Sequence, residues 1–190
     1  MAFQRMKRAH LRAPLKTELL YEDEGYVLKA RILNISEGGL LIENLPKVPE
    51  INLMPLMIDI IDYPDFQSIR MEKLKVAHQI GFERKIVRVR AKMVRSFQAE
   101  SEVDKIFVNK IGCQFVHPKP EAGDIIRKYV KTFARNTVFL LSLFENRGGK
   151  KDDTTRIIRS ISTVLGYQSD TPLPVLRQKV LHDYQSLESL

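Results

Sequence analysis

The hydrophobic period of this chain changes once, and the change limits what each part can fold into. Between Leu15 and about Phe115, short apolar runs alternate with turn residues. Beyond His117-Pro118-Lys119-Pro120 the apolar residues recur at helical spacing. Residues 17–21 and 26–33 read as strands separated by the polar turn Glu22-Asp23-Glu24-Gly25. A glycine turn over residues 34–39 then leads into Leu40-Leu41-Ile42-Glu43. Pro46 and Pro49 break the chain before residues 51–61, a stretch that Pro55 confines to an edge or a bulge. Residues 86–94 alternate cleanly: Val87, Val89, Ala91 and Met93 form a core face, and Arg88, Arg90 and Lys92 the opposite one. A polar loop over residues 98–104 precedes a last strand over 106–116. Short strands with turns between them predict a small antiparallel barrel or sandwich. Residues 62–84 carry no clean period and are expected to form an insertion, partly helical or a hairpin.

In the second half, Ile125, Ile126, Tyr129, Phe133, Val138, Leu141 and Phe144 predict one long helix, stopped by Asn146-Arg147-Gly148-Gly149. Residues 150–153 read as a charged link. Two further helices follow: residues 154–165, ended by Gly166, and residues 172–187, with Pro172 in the first turn. Their apolar faces are Ile157, Ile158, Ile161, Val164 and Leu165, then Leu176, Val180, Tyr184 and Leu187. Such stripes pack on their own domain or offer a surface for a partner or a second copy.

With 31 Lys and Arg against 23 Asp and Glu, the net charge of +8 favours anionic partners without choosing among them. Cys113 is the single cysteine, so no intrachain disulfide forms. No apolar run reaches the roughly 20 residues of a membrane span, and Met1-Ala2-Phe3-Gln4-Arg5 has no apolar leader core. A cytoplasmic protein is expected. His10, His78, His117 and His182 lack ligand-like spacing, no serine sits in a G-x-S-x-G elbow, and no glycine loop matches a phosphate loop. Neither a metal site, a cofactor nor a catalytic constellation emerges, and the chain is read as a non-enzyme. Asp152-Asp153 reads as solvated charge.

Two short motifs carry the functional signal. Arg8-Ala9-His10-Leu11-Arg12 reads R-x-x-x-R, and its two guanidiniums suit phosphate oxygens and the O6/N7 edge of guanine. Asn34-Ile35-Ser36-Glu37-Gly38-Gly39 reads N-x-S-x-x-G and offers small hydrogen-bonding groups on a glycine turn. Each alone is ordinary: a solvated basic tail, and an Asx or Ser turn. Together, and followed by Ile111-Gly112-Cys113-Gln114-Phe115 and a helix, they resemble the signature of PilZ domains, the receptor family for the bacterial second messenger cyclic di-GMP. The resemblance covers roughly residues 5–140.

That resemblance implies a mainly β fold with α: a six-stranded antiparallel barrel followed by a long helix and a helical C-terminal extension. It implies a ligand-gripping arm over residues 1–14 and a barrel over 15–118 with an insertion at about 62–84. A helix packed on the barrel over 119–149 and a helical extension over 150–190 complete the expected division. The implied cyclic di-GMP site comprises Lys7, Arg8, Arg12, Asn34, Ser36, Gly38 and Gly39. Arg8 and Arg12 would grip phosphates and guanine, Asn34 and Ser36 would hydrogen-bond guanine, and Gly39 would hold the turn. Lys7 stands where relatives that bind an intercalated ligand pair carry arginine, and Asn34 stands where many carry aspartate. The implied function is a receptor or adaptor that changes arm–barrel conformation on binding and signals to an unidentified protein effector in motility, biofilm or exopolysaccharide control. Homo-oligomers through the C-terminal helices are a further expectation. The alternatives are a ligand-independent adaptor of the same fold and a nucleic-acid-binding small barrel using the Arg88, Arg90, Lys92 and Arg95 face.

Overall fold

A computed structural model describes residues 10–46, 49, 53–100, 107–145 and 151–188. The chain divides into two compact units, one of His10–Asp62 with Arg84–Val130, the other holding Tyr63–Glu83 and Lys131–Leu190.

The first unit is built from β1 (Arg12–Pro14), β2 (Glu18–Asp23), β3 (Tyr26–Ser36), β4 (Gly39–Glu43), β5 (Met54–Ile61), β6 (Arg84–Glu100), β7 (Phe107–Phe115) and the start of α2 (Pro120–Glu145). Six strands close a ring: β3 pairs with β2, β2 with β5, β5 with β6, β6 with β7, β7 with β4, and β4 with β3, all antiparallel. β1 is an extra strand, laid on β3 beyond the end of β2. Alternation fills the interior. Leu19, Tyr21, Ile32, Ile42, Met54, Ile58, Val87, Ala91 and Ile111 are all buried, and full burial of a branched aliphatic chain contributes about 2 kcal/mol. The outward positions of β6 carry the cations the alternation predicts, with Arg88, Arg90 and Lys92 exposed.

The strands are longer than the sequence pattern suggested. Arg12 belongs to a paired strand and not to a loose arm. β3 continues through Asn34 to Ser36, so the expected six-residue turn shrinks to Glu37 and Gly38. β6 runs to Glu100, into the expected polar loop, because β7 pairs with it that far. Pro55 sits where a missing N–H costs least: β2 accompanies β5 only at Leu56, Met57 and Ile58, which leaves Pro55 locally on an edge.

In the second unit, residues 63–83 fold into 3-10 turns at Phe66–Ser68 and Ala77–Gln79 around the short α1 (Met71–Leu74). The expected insertion is therefore part of the helical unit. Asn136 of α2 ties it in, accepting the Phe66 N–H at 2.9 Å and donating to the Pro64 carbonyl at 2.9 Å. Ser160 of α3 (Lys151–Val164) receives the His78 N–H at 3.1 Å. Residues 151–153 of the expected link belong to the first turn of α3, where Asp152 and Asp153 face the positive end of the helix dipole. Lys75 pairs with Asp153 at 2.9 Å. Ile157, Ile158, Ile161 and Leu165 of α3 are buried within the fold, as are Leu176, Val180 and Leu187 of α4 (Leu173–Glu188). Most of each stripe thus packs within this unit, the first of the two expectations for it, while Tyr184 is exposed. The glycine stop at residues 146–149 lies outside the described residues.

Candidate functional site

The two motifs meet because β1 and β3 are register partners. Arg12 stands opposite Ser36, Ala13 opposite Ile35, and Pro14 opposite Asn34. On the far edge of β3, Ser36 faces Gly39, Ile35 faces Leu40, and Asn34 faces Leu41. Ala13, Ile35 and Leu40 are buried and make an inward row. Arg12, Ser36 and Gly39 therefore share the next row on the outer face, and Pro14, Asn34 and Leu41 the one beyond it.

A β-bulge sets this orientation. The β3–β4 register shifts between Ile32 and Asn34. Before the shift Ala30 and Ile32 point inward; after it Ile35 does. Unbroken alternation from Ile32 would have turned Asn34 and Ser36 into the barrel. The extra residue, Leu33, re-aims both to the outside. The step of three from Ile32 to Ile35 was the sequence signal for it.

Within the turn, the Ser36 hydroxyl donates to the Gly39 carbonyl at 3.1 Å. Its proton is committed, while its lone pairs stay available to an N–H donor. Gly39 is buried, and its missing side chain is a requirement of the sheet. A Cβ there would run into the Cys113 carbonyl of β7 and lie 3.1 Å from the Gln114 Cα. Gly38 has His10 above it, and an added Cβ would meet the His10 ring at 3.1 Å. Burial pushes the Cys113 thiol up to about 12, so it is an inert packing residue.

Three groups that sequence reasoning missed hold this region from the first half of α2. Arg127 Nε donates to Glu37 Oε2 at 2.9 Å and its Nη1 to Asp124 Oδ1 at 2.6 Å. The Glu37 bond, with Asp124 behind it, pushes the guanidinium further above its usual range. Tyr129 Oη donates to the Pro14 carbonyl at 2.6 Å, fastening the end of β1. Lys128 pairs with Asp62 at 2.8 Å, and Lys85 reaches the same carboxylate at 3.1 Å. These hydrogen bonds, Lys128 first, hold the Asp62 carboxyl below its usual range. No local signal could have identified such partners, because Glu37 and Arg127 lie 90 residues apart.

Of the expected site, Arg12, Asn34, Ser36, Gly38 and Gly39 are brought together here. Lys7 and Arg8 lie outside the described residues. Among the described residues no cluster of three or more His, Cys, Asp or Glu could hold a metal ion, and no helix is long and apolar enough to cross a membrane.

Among solved structures, the chain is similar to the inhibitor of motility MotI/DgrA of Bacillus subtilis at 13% identity, covering 66% of this chain and 50% of that one, with a TM-score of 0.44. It is similar to the PilZ domain of YcgR from Escherichia coli, solved with c-di-GMP, at 12% identity, covering 68% and 93%, with a TM-score of 0.43. A third is the MrkH–c-di-GMP complex of K. pneumonia at 13% identity, covering 76% and 56%, with a TM-score of 0.43. The chain thus spans about half the length of the MotI/DgrA and MrkH chains. No curated protein matches it. The PilZ domain model matches residues 6–132, more than half of the 190 residues, so the chain belongs to the PilZ domain family.

Proposed function

We propose that this protein is a cyclic di-GMP receptor that works as an adaptor and not as an enzyme. The ligand would lie on the outer face of the barrel, where β1 crosses the end of β3. The register that sets Arg12 against Ser36 carries this reading, because it joins the family's two motifs on one surface.

Arg12, with Arg8 and Lys7 upstream, supplies cations for the two phosphates and a planar fork for a guanine edge. Asn34 and Ser36 supply acceptors for guanine N–H groups, Ser36 through the lone pairs left by its bond to Gly39. Gly38 and Gly39 act through the backbone: Gly39 lets β4 approach β7, and Gly38 leaves room for His10. Glu37 is an anion beside a site for an anion, and Arg127 neutralises it.

The conformational step is the closing of the basic lead-in over the ligand. Any strain it places on β1 or on the turn reaches α2, through Tyr129 at Pro14 and through Arg127 at Glu37. A protein effector reading that change is the proposed output, in motility or surface attachment. Calorimetric titration of the full chain with cyclic di-GMP, with GTP as control, tests the reading. Saturable heat for the cyclic dinucleotide and none for GTP is expected; an absence of binding at millimolar ligand overturns it.

A further inference from the structure

The outer face of β2, β5 and β6, with the start of β3, carries a recess whose lining includes neither Arg12, Asn34, Ser36 nor Gly39, and it is independent of the cyclic di-GMP reading. It forms where β2 and β5 part. Their last paired residues are Tyr21 and Leu56, and a groove of about 570 Å³ lies over Val27, Leu53 and Pro55 past that point and reaches back over the Leu20–Met57 pair. Leu20 is 39% exposed, Leu53 40% and Val27 69%, an apolar floor of the kind that marks a contact surface.

The rim of this floor is mainly cationic, three cations against the one carboxylate of Glu22 on β2. Arg88 and Arg90 of β6 border it on one side, and Lys119 follows the end of β7. Other cations of the same unit are already neutralised: Arg84 by Asp59, Lys85 and Lys128 by Asp62, Arg127 by Glu37 and Asp124. Arg88, Arg90 and Lys119 form no ion pair among the described residues. The rim is also fixed in place. The Val116 N–H donates to the Arg90 carbonyl at 2.8 Å, and the next residue, His117, has a left-handed backbone with φ 44°, a conformation that non-glycine residues adopt at a cost.

We propose that this groove docks an extended segment of a partner protein in which bulky apolar side chains are flanked by carboxylates. Arg88 and Arg90 lie two residues apart on one strand face, so their Cα atoms are about 6.7 Å apart. Carboxylates two residues apart on an extended segment repeat that spacing, whereas a single anionic head group does not. A nucleic acid has spaced phosphates too, but its bases stack on aromatic rings, and the exposed floor is aliphatic. The Arg88–Arg90 face that suggested nucleic acid from sequence is therefore assigned to an acidic, apolar protein segment.

Selection of a phage-displayed random dodecapeptide library on the immobilised full chain tests this. The recovered peptides are then synthesised and titrated by fluorescence polarisation. Enrichment of Asp or Glu beside Leu, Ile, Phe or Met is expected. Binding should weaken at least about tenfold in Leu20→Glu and in the Arg88→Glu/Arg90→Glu double variant, and stay unchanged in Arg12→Ala. A peptide with lysine at its acidic positions should regain binding to the double variant only. Thermal unfolding of each variant confirms that the barrel is intact, and Leu20 and both arginines are outward positions that tolerate charge. Failure to enrich peptides, recovery of sequences without acidic residues, binding insensitive to both substitutions, or displacement of the peptide by a thymidine oligonucleotide each overturns the proposal. None of these outcomes touches the cyclic di-GMP titration.

Discussion

Arg127 of α2 holds Glu37, the first residue of the two-residue β3–β4 turn, through an Nε–Oε2 hydrogen bond of 2.9 Å. This places a neutralised carboxylate within the motif proposed to receive a doubly anionic ligand. Removing the guanidinium leaves Glu37 free to repel phosphate. Arg127→Ala is expected to weaken cyclic di-GMP binding several-fold, and less at high salt, where solvent ions screen the exposed pair. Glu37→Gln in the same background should restore most of the loss. Calorimetry on the two single variants and the double variant measures that coupling; additive losses would show that Arg127 acts elsewhere.

Gly39 is expected to be a stability residue first and a ligand residue second. A methyl group there collides with the Cys113 carbonyl, which is backbone and cannot yield cheaply. Gly39→Ala should cost about 1–3 kcal/mol, the range for overpacking a tight site, read as a lower urea midpoint. Gly25, with φ 82° and open space around it, should lose stability through backbone strain alone.

Asp62 links the end of β5 to α2 through Lys128 and to β6 through Lys85. The Lys128 hydrogen bond holds its folded carboxyl below the ordinary aspartate value of 3.8. The pair's stabilisation is therefore complete above that value and is lost as pH falls through the folded one. Asp62→Asn should lower stability by no more than about 1 kcal/mol at neutral pH, because solvent screens the largely exposed Lys128. It should also flatten the acid limb of a thermal-unfolding series run from pH 6 downwards.

The Cys113 thiol should be silent. Burial lifts it from 9.0 to about 12, so the native protein is expected to resist a disulfide exchange reagent at pH 8 and to react at once when unfolded. The unfolded thiol ionises first, so stability should fall as pH rises between those two values. Stoichiometric labelling of native protein would contradict a closed β4–β7 seam.

Legibility followed the range of the interaction. Val87, Val89 and Ala91 announced a barrel strand because alternation is local, and all three are buried. The long helix was legible through Ile126, Tyr129 and Phe133, which share its buried face. β1 was not legible: three residues ending in proline have no period, and only pairing with Asn34, Ile35 and Ser36 makes them a strand. The β3 bulge hid in a single off-beat isoleucine. Residues 63–83 lacked a pattern because their few buried side chains, Tyr63, Phe66, Leu74 and Ala77, follow no period, and their polar ties to Asn136 and Ser160 reach helices far along the chain. The motif letters themselves were visible from the start; the side chains that position them, Arg127 and Tyr129, were not.

The most direct test of the receptor reading is a calorimetric titration of cyclic di-GMP into the wild-type chain and into Arg12→Ala, with thermal unfolding run beside it. A lost charge-assisted contact of ~2 kcal/mol predicts roughly thirtyfold weaker binding with the unfolding midpoint nearly unchanged. Equal affinity in the two proteins, both folded, would contradict a ligand held between Arg12 and Ser36.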